Sequence, residues 1–283
     1  TNTAAIQFKD MEGIDYQGTT PITSTNSAIN GKTGTEAWNL FMNQLTWDQV
    51  VKVVEYGGYG SPELANVGKS SDIEADGPTN ISSSFQWTDE PLLTATLNTD
   101  LVEMVGKVKG DICMFLGVTG WYGPGMDYHR SAFSGRNFEY YSQDGYASGT
   151  TAASEIKGVQ SKGIVAYAKH FAFNDQETNR GADFQFMDEQ TIRENELKSF
   201  QIAFQEGGSK ASMVGYGHIA GIPNTNNYNL LTNICKKEWK WTGAFDTDGY
   251  IGWIDITSPD LMNRAGCEIE LRTPPWNETP RGT

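Results

Sequence analysis

Seven polar or charged positions are spaced along this chain in a way that could do chemistry together. They are Asp76, Arg136, the pair Lys169-His170, Tyr216 with His218, and Asp248 in the segment Gly243-Ala-Phe-Asp-Thr-Asp248-Gly-Tyr250. Carboxylates, a guanidinium, an ammonium and an imidazole can donate and accept hydrogen bonds around a ring bearing several hydroxyls. An ionised carboxylate held under an anomeric carbon is what a retaining glycosidase needs as its nucleophile. Arginine and lysine beside Asp248 are expected to lower its pKa and keep it ionised. Each residue alone has a blander reading. An Asp at a strand end is more often a helix cap, at roughly two to one. Arg136 could simply pair with Glu139 or Asp144. The convergence carries more weight than any member.

These residues need elements that bring them to one place. The chain of 283 residues is long enough for a substantial core, and 38% hydrophobic with 20% charged residues fits a globular protein. Residues 1–36 are polar and rich in Thr, Asn and Gly, which reads as an irregular arm or linker. The spacing Thr46-x-x-Gln49 predicts a capping box, followed by a helix with Val50, Val51, Val53 and Val54 on its apolar face. Beyond it, strands and helices alternate. Strands are expected at 71–76, 112–118, 164–168, 211–215, 243–248 and 267–271. Helices are expected at 97–109, 148–162, 188–206, 229–239 and 258–264. Such alternation argues for a parallel sheet. No Gly-rich phosphate loop follows a strand, and polar clusters recur at strand ends. The expected fold is therefore α/β, a TIM-like (β/α) barrel with its site at the C-terminal strand ends. Six strands rather than eight make that barrel irregular or incomplete.

Composition narrows the partners. A formal net charge of −14 repels nucleic acid. No run of about 18 apolar residues is present, so no membrane span is expected, and the start lacks a signal-peptide pattern. Cys113, Cys235 and Cys267 lack metal-ligand spacing, so neither zinc nor another cofactor is expected. Aromatics at 12% suit sugar stacking as well as core packing.

The motifs resemble the barrel domain of family 3 glycoside hydrolases, in the β-glucosidase branch. The matching stretches are Asp76-Gly77-Pro78, Trp121–Asp144 with Gly-Arg-Asn-Phe-Glu-Tyr-Tyr-Ser, Lys169-His170-Phe171, Asn174–Arg180, Glu189–Gly208 with Arg193-Glu194, and Gly243–Asp248. The resemblance spans about residues 36–270. It implies Asp248 as nucleophile, with Asp76, Arg136, Lys169, His170, Met213 and Tyr216 binding a glucose-like non-reducing sugar, and exo-acting hydrolysis with retention. It implies no metal and no cofactor. Ala172-Phe173-Asn174-Asp175 replaces the Gly-His-Gly loop of the N-acetylhexosaminidase branch, which disfavours that activity. The family's strand before the nucleophile is usually aliphatic. Here Asp246 lies two residues before Asp248 and faces the same side. Gly249 and Tyr250 stand where a Trp often follows the nucleophile, and Trp253 is the candidate platform for the next sugar. The general acid/base is expected on a Glu of a second, sandwich-like domain outside this chain. Residues 37–283 are then a barrel lacking its last helix, one segment of a larger enzyme. A non-catalytic sugar-binding barrel and a β-xylosidase on the same scaffold remain alternatives. A metabolic barrel for a phosphorylated substrate fits less well.

Overall fold

The computed structural model describes residues 5–55, 57–82, 85–249 and 258–271. Five strands form one sheet: β1 (Glu74–Asp76), β2 (Gly120–Tyr122), β3 (Val165–Phe171), β4 (Ala211–Val214) and β5 (Ala244–Thr247). They lie in chain order, and every neighbouring pair is parallel. Parallel neighbours require crossovers, and helices supply them: Thr99–Leu116, Gly145–Gln160, Lys198–Gln205 and the π-helical turn Asn229–Glu238. Ile269 extends the sheet by a bridge to Asp246. The hydrogen bonds do not close the ring. Instead Glu270 N–H donates to Val54 O at 2.9 Å and Glu74 N–H donates to Tyr59 O at 3.0 Å. The chain entering the barrel thereby stitches the gap between its last and first strands. The fold is an open TIM-like α/β barrel.

Alternation along each strand separates two interiors. Ala75, Trp121, Ala166, Ala168, Val214 and Phe245 face outward and join the helices in the main core. Phe204 stacks on Trp241 at 4.2 Å between ring centres, and Phe171 stacks on Phe245 at 5.3 Å, under the β3–β5 side of the sheet. Tyr122, Tyr167, Ala211, Met213 and Leu271 face inward and fill the barrel. The helices Thr99–Leu116 and Gly145–Gln160 meet at Gly106 and Gly158. A Cβ on Gly158 would stand 2.2 Å from Glu103 O, so only glycine allows this close approach.

The predicted strand at 112–118 is not one. Those residues up to Leu116 finish the 18-residue helix Thr99–Leu116, which Gly117 ends in the left-handed conformation, and the strand starts at Gly120. A short apolar run reads the same in a buried strand and on a helix face. The Thr46–Gln49 capping box is present, with Thr46 N–H donating to Gln49 Oε1 at 2.9 Å. The predicted helix at 188–206 is interrupted by a π turn, Ile192–Glu196. At the N-terminal end, Ile6, Met11, Ile29, Phe41, Leu64 and Val67 form a separate small core, with the helix Gly34–Met42 capped by Thr33 and Glu36.

Candidate active site

Residues from all five strand ends line one cavity of about 310 Å³: Tyr59, Asp76, Tyr122, Arg136, Lys169, His170, Arg180, Met213, Tyr216, Asp248, Gly249 and Leu271. Asp76, Arg136, Lys169, His170, Met213, Tyr216 and Asp248 are thus brought together. Trp253 lies outside the described residues. Arg180, Tyr59, Tyr122 and Leu271 were not singled out from the sequence. Arg180 had a signal, since it is the cation that ends the polar run 174–180. Tyr59 had none, because its place depends on how the barrel gap is filled.

Asp76 and Lys169 are adjacent, with Lys169 Nζ donating to Asp76 Oδ1 at 2.5 Å. The pair presents an ammonium and a carboxylate to the cavity. Arg136 does pair with Glu139, as the bland reading expected, and its guanidinium still borders the cavity. Glu177 lies between two cations, 3.7 Å from Arg136 Nη1 and 3.2 Å from Arg180 Nη1. The Arg180 guanidinium sits 4.7 Å over the Tyr216 ring.

His170 is buried, and burial with Arg136, Lys169 and Arg180 nearby holds its pKa well below the usual range. It is neutral, so its 3.7 Å approach to Asp248 Oδ2 is not an ion pair. Tyr140 Oη accepts from Asn174 Nδ2 at 2.6 Å and lies 3.0 Å from His170 Nδ1. The Tyr140 hydroxyl therefore fixes the imidazole ring from its Nδ1 side, while Nε2 faces Asp248.

Asp248 follows β5 directly. Gly249 N–H donates to its Oδ1 at 2.6 Å, and its side chain keeps 16% exposure. The expected lowering of its pKa does not win. Burial pushes the carboxyl up, and Lys169, Arg180, the Gly249 amide and Arg136 only partly oppose it. Asp248 is thus a desolvated carboxyl with Lys169, Arg136 and Arg180 lining the same cavity.

Asp246 and Glu74 occupy the layer below, each two residues before a pocket carboxylate. Glu74 accepts from Tyr122 at 2.6 Å and Tyr167 at 2.5 Å. Asp246 is 1% exposed, and neither carboxyl oxygen has a hydrogen-bond partner among the described residues. Burial first, then Glu74 and Asp248, raises its pKa well above the carboxylate range. Of two carboxyls on one strand face, Asp248 has the Gly249 amide to support a charge, whereas burial without a partner favours the protonated form of Asp246.

A second group of buried acids lies behind the loop after β3. Burial, then Asp175, pushes Asp127 up to about 8. Burial, then Asp175 and Asp127, pushes Glu196 up to about 9. Burial pushes Asp175 up to about 6 against the pull of Arg130. The folded state therefore holds more protons than the unfolded chain between about pH 4 and pH 9, and stability falls as pH rises through that window. Thermal unfolding is expected at a lower temperature at pH 9 than at pH 6, with Glu196→Gln flattening the fall. An unchanged slope in that variant contradicts the assignment.

A polar cavity at the carboxyl ends of parallel barrel strands, lined by carboxyls and cations, stands where barrel proteins carry their sites. The model of the Glycosyl hydrolase family 3 N terminal domain matches residues 86–275, and the chain belongs to that family. β-Glucosidase A of Butyrivibrio fibrisolvens is 34% identical over 200 residues, which is 68% of this chain and 24% of that protein. Thermostable β-glucosidase B of Acetivibrio thermocellus is 38% identical over 181 residues, 64% of this chain and 23% of that protein. The structure of β-glucosidase 3B from Thermotoga neapolitana in complex with α-D-glucose superposes with a TM-score of 0.77 at 31% identity, covering 82% of this chain and 36% of that one. The chain spans about a quarter of the length of these curated relatives. Among the described residues no helix is long and apolar enough to cross a membrane, and no group of three or more His, Cys, Asp or Glu could hold a metal ion.

Proposed function

We propose that the chain is the barrel of a retaining, exo-acting β-glucosidase that hydrolyses terminal non-reducing β-D-glucosyl residues, with Asp248 as nucleophile. The observation that carries the reading is Asp248 at the end of β5, beside a cavity ringed by Asp76–Lys169, Arg136 and Arg180. At about 310 Å³ the cavity is at the small end of ligand sites, which favours one sugar ring and hence exo action. Asp76 and Lys169 bind adjacent hydroxyls. Arg136, Arg180 and neutral His170 donate to others. Asp248 attacks the anomeric carbon, and as its charge passes into the ester bond, the leaving oxygen needs a proton. The β-glucosidase names of the relatives support glucose as the ring bound.

The acid that gives that proton is proposed to be a Glu of a second domain. Apart from Asp248, the carboxylate lining the cavity among the described residues is Asp76, and it is tied to Lys169. Protonation of the leaving group contributes about 10²–10⁴-fold. The isolated chain should therefore lose about that factor on an alkyl β-glucoside, and less on an aryl β-glucoside whose leaving group needs little help. Equal losses on both substrates contradict the missing-acid reading.

The specificity test compares aryl β-D-glucoside, β-D-xyloside and β-D-galactoside on the intact enzyme, with the product anomer followed by NMR. Glucoside preference with β-glucose appearing first is expected. Lys169→Met should raise KM for the glucoside at least about tenfold, since a charged hydrogen-bond donor is lost from the pocket. α-Glucose as first product overturns retention, and xyloside preference overturns the specificity. Unaltered KM in Lys169→Met overturns the role of that residue.

A further inference from the structure

The loop that carries Arg180 into the cavity, with Glu177 paired behind it, is irregular from Phe173 to Asn179, and one side chain outside the cavity holds its start. Asp127 is fully buried after β2. Its Oδ1 accepts the Phe173 N–H at 3.2 Å, and its Oδ2 accepts the Asn174 N–H at 2.6 Å. Phe173 sits at φ +70°, the left-handed region that side chains other than glycine's rarely adopt. A carboxyl that collects the two amides at this point stabilises the turn.

The contacts continue from there to the pocket. The side chain of Asn174 donates to Tyr140 Oη at 2.6 Å and to Glu177 Oε1 at 3.0 Å. Glu177 lies 3.2 Å from Arg180 and 3.7 Å from Arg136. Tyr140 lies 3.0 Å from His170 Nδ1. A single carboxyl group thus sits at the head of a chain of hydrogen bonds and ion pairs that ends on Arg136, His170 and Arg180, three residues of the cavity wall.

We propose that Asp127 is a positioning residue of the sugar pocket: by binding the amides of Phe173 and Asn174 it sets where Glu177 and Arg180 stand, and so sets affinity for the non-reducing sugar without touching it. The identity of the sugar rests on the function proposed above, whereas the anchoring of the loop does not.

The test uses the intact enzyme with Asp127→Ala and Asp127→Asn. Alanine removes both acceptors. Asparagine keeps one oxygen and presents an N–H₂ where the other stood. Three quantities are read: kcat and KM on an aryl β-D-glucoside, the inhibition constant of D-glucose, and hydrogen exchange in peptides covering 173–180. In Asp127→Ala, KM and the glucose inhibition constant should rise together by about tenfold or more, with kcat within about threefold of wild type. Exchange at 173–180 should accelerate. Asp127→Asn should fall between alanine and wild type on all three. Should Asp127→Ala fail to fold, the asparagine variant decides. A folded variant with unchanged inhibition constant and unchanged exchange overturns the proposal, as does a fall in kcat alone. If the wild type neither binds glucose nor turns over any glycoside, the proposed function fails, and the exchange measurement still judges Asp127.

Discussion

Asp248→Asn is expected to lower kcat on an aryl β-glucoside by at least about 10⁴-fold, the scale on which removing a covalent nucleophile acts. Asparagine matches the shape and can still accept the Gly249 N–H that now reaches Oδ1 at 2.6 Å. What it lacks is the charge that attacks carbon. Glucose binding should change far less, because the hydroxyl-binding groups remain. The variant should also be more thermostable than wild type. Burial disfavours the Asp248 carboxylate more than Lys169, Arg180 and Arg136 favour it, so neutralising it removes a cost. Asp246→Asn is the matched control two residues away. Asp246 is already neutral in the fold, so activity within about threefold of wild type is expected there. Comparable losses at both positions would mean that the pair acts together and that Asp246 is not a bystander. Steady-state kinetics and a thermal melt of the two variants make the comparison.

Lys109→Met is expected to be the most damaging single change outside the cavity. Lys109 and Glu155 form an ion pair at 2.5 Å, and both side chains are 0% exposed. Lys109 Nζ also donates to Pro78 O at 2.9 Å and lies 5.0 Å from the centre of the Trp121 ring. Tyr141 donates to the other oxygen of Glu155. Glu90 is buried nearby, and burial raises its pKa well above the usual range, so it is neutral. The cluster therefore balances as one cation and one anion. Removing the cation leaves Glu155 charged and unpaired in the interior, a loss of about 3–5 kcal/mol. For a domain of this size that is a fall in melting temperature of roughly 6–20 °C. Glu155→Gln in the same chain should restore a large part of it, since the uncompensated charge is gone. If Lys109→Met alone melts within about 2 °C of wild type, the buried pair is not the anchor described here. Pro78 belongs to the Asp76-Gly77-Pro78 turn, so the same lysine also braces the strand end that presents Asp76.

What the sequence revealed, and what it did not, follows from how local each signal is. A carboxylate at a strand end announces itself by position, because the strand is short and the barrel places every such end at one mouth. Asp76, Lys169, His170, Tyr216 and Asp248 were legible for that reason, Met213 came with the resemblance to the family, and the cavity gathers them with Arg136. The strand at Gly120–Tyr122 was placed several residues early, since the apolar stretch before it belongs to a helix whose buried face has the same composition. The bracing of Arg136 and Arg180 by Glu177 was not legible, because it depends on an irregular loop folding back through Asp127 and Asn174. The closing of the barrel gap by Val54 and Tyr59 was equally hidden, as it rests on backbone hydrogen bonds that no side chain advertises. The pKa of Asp248 was misjudged in direction: cations can be counted in a sequence, and burial cannot.

The most direct measurement is inactivation of the intact enzyme by an activated 2-deoxy-2-fluoro-β-D-glucoside, followed by mass mapping of the labelled peptide. The fluorine slows hydrolysis of the glycosyl-enzyme ester, so the nucleophile stays tagged. One fluoroglucosyl group on Asp248 is the expected result, with glucose protecting against its attachment. A label on Asp76, Asp246 or another carboxylate, or ready turnover of β-glucosides with no label at all, contradicts the assignment of Asp248 as the nucleophile.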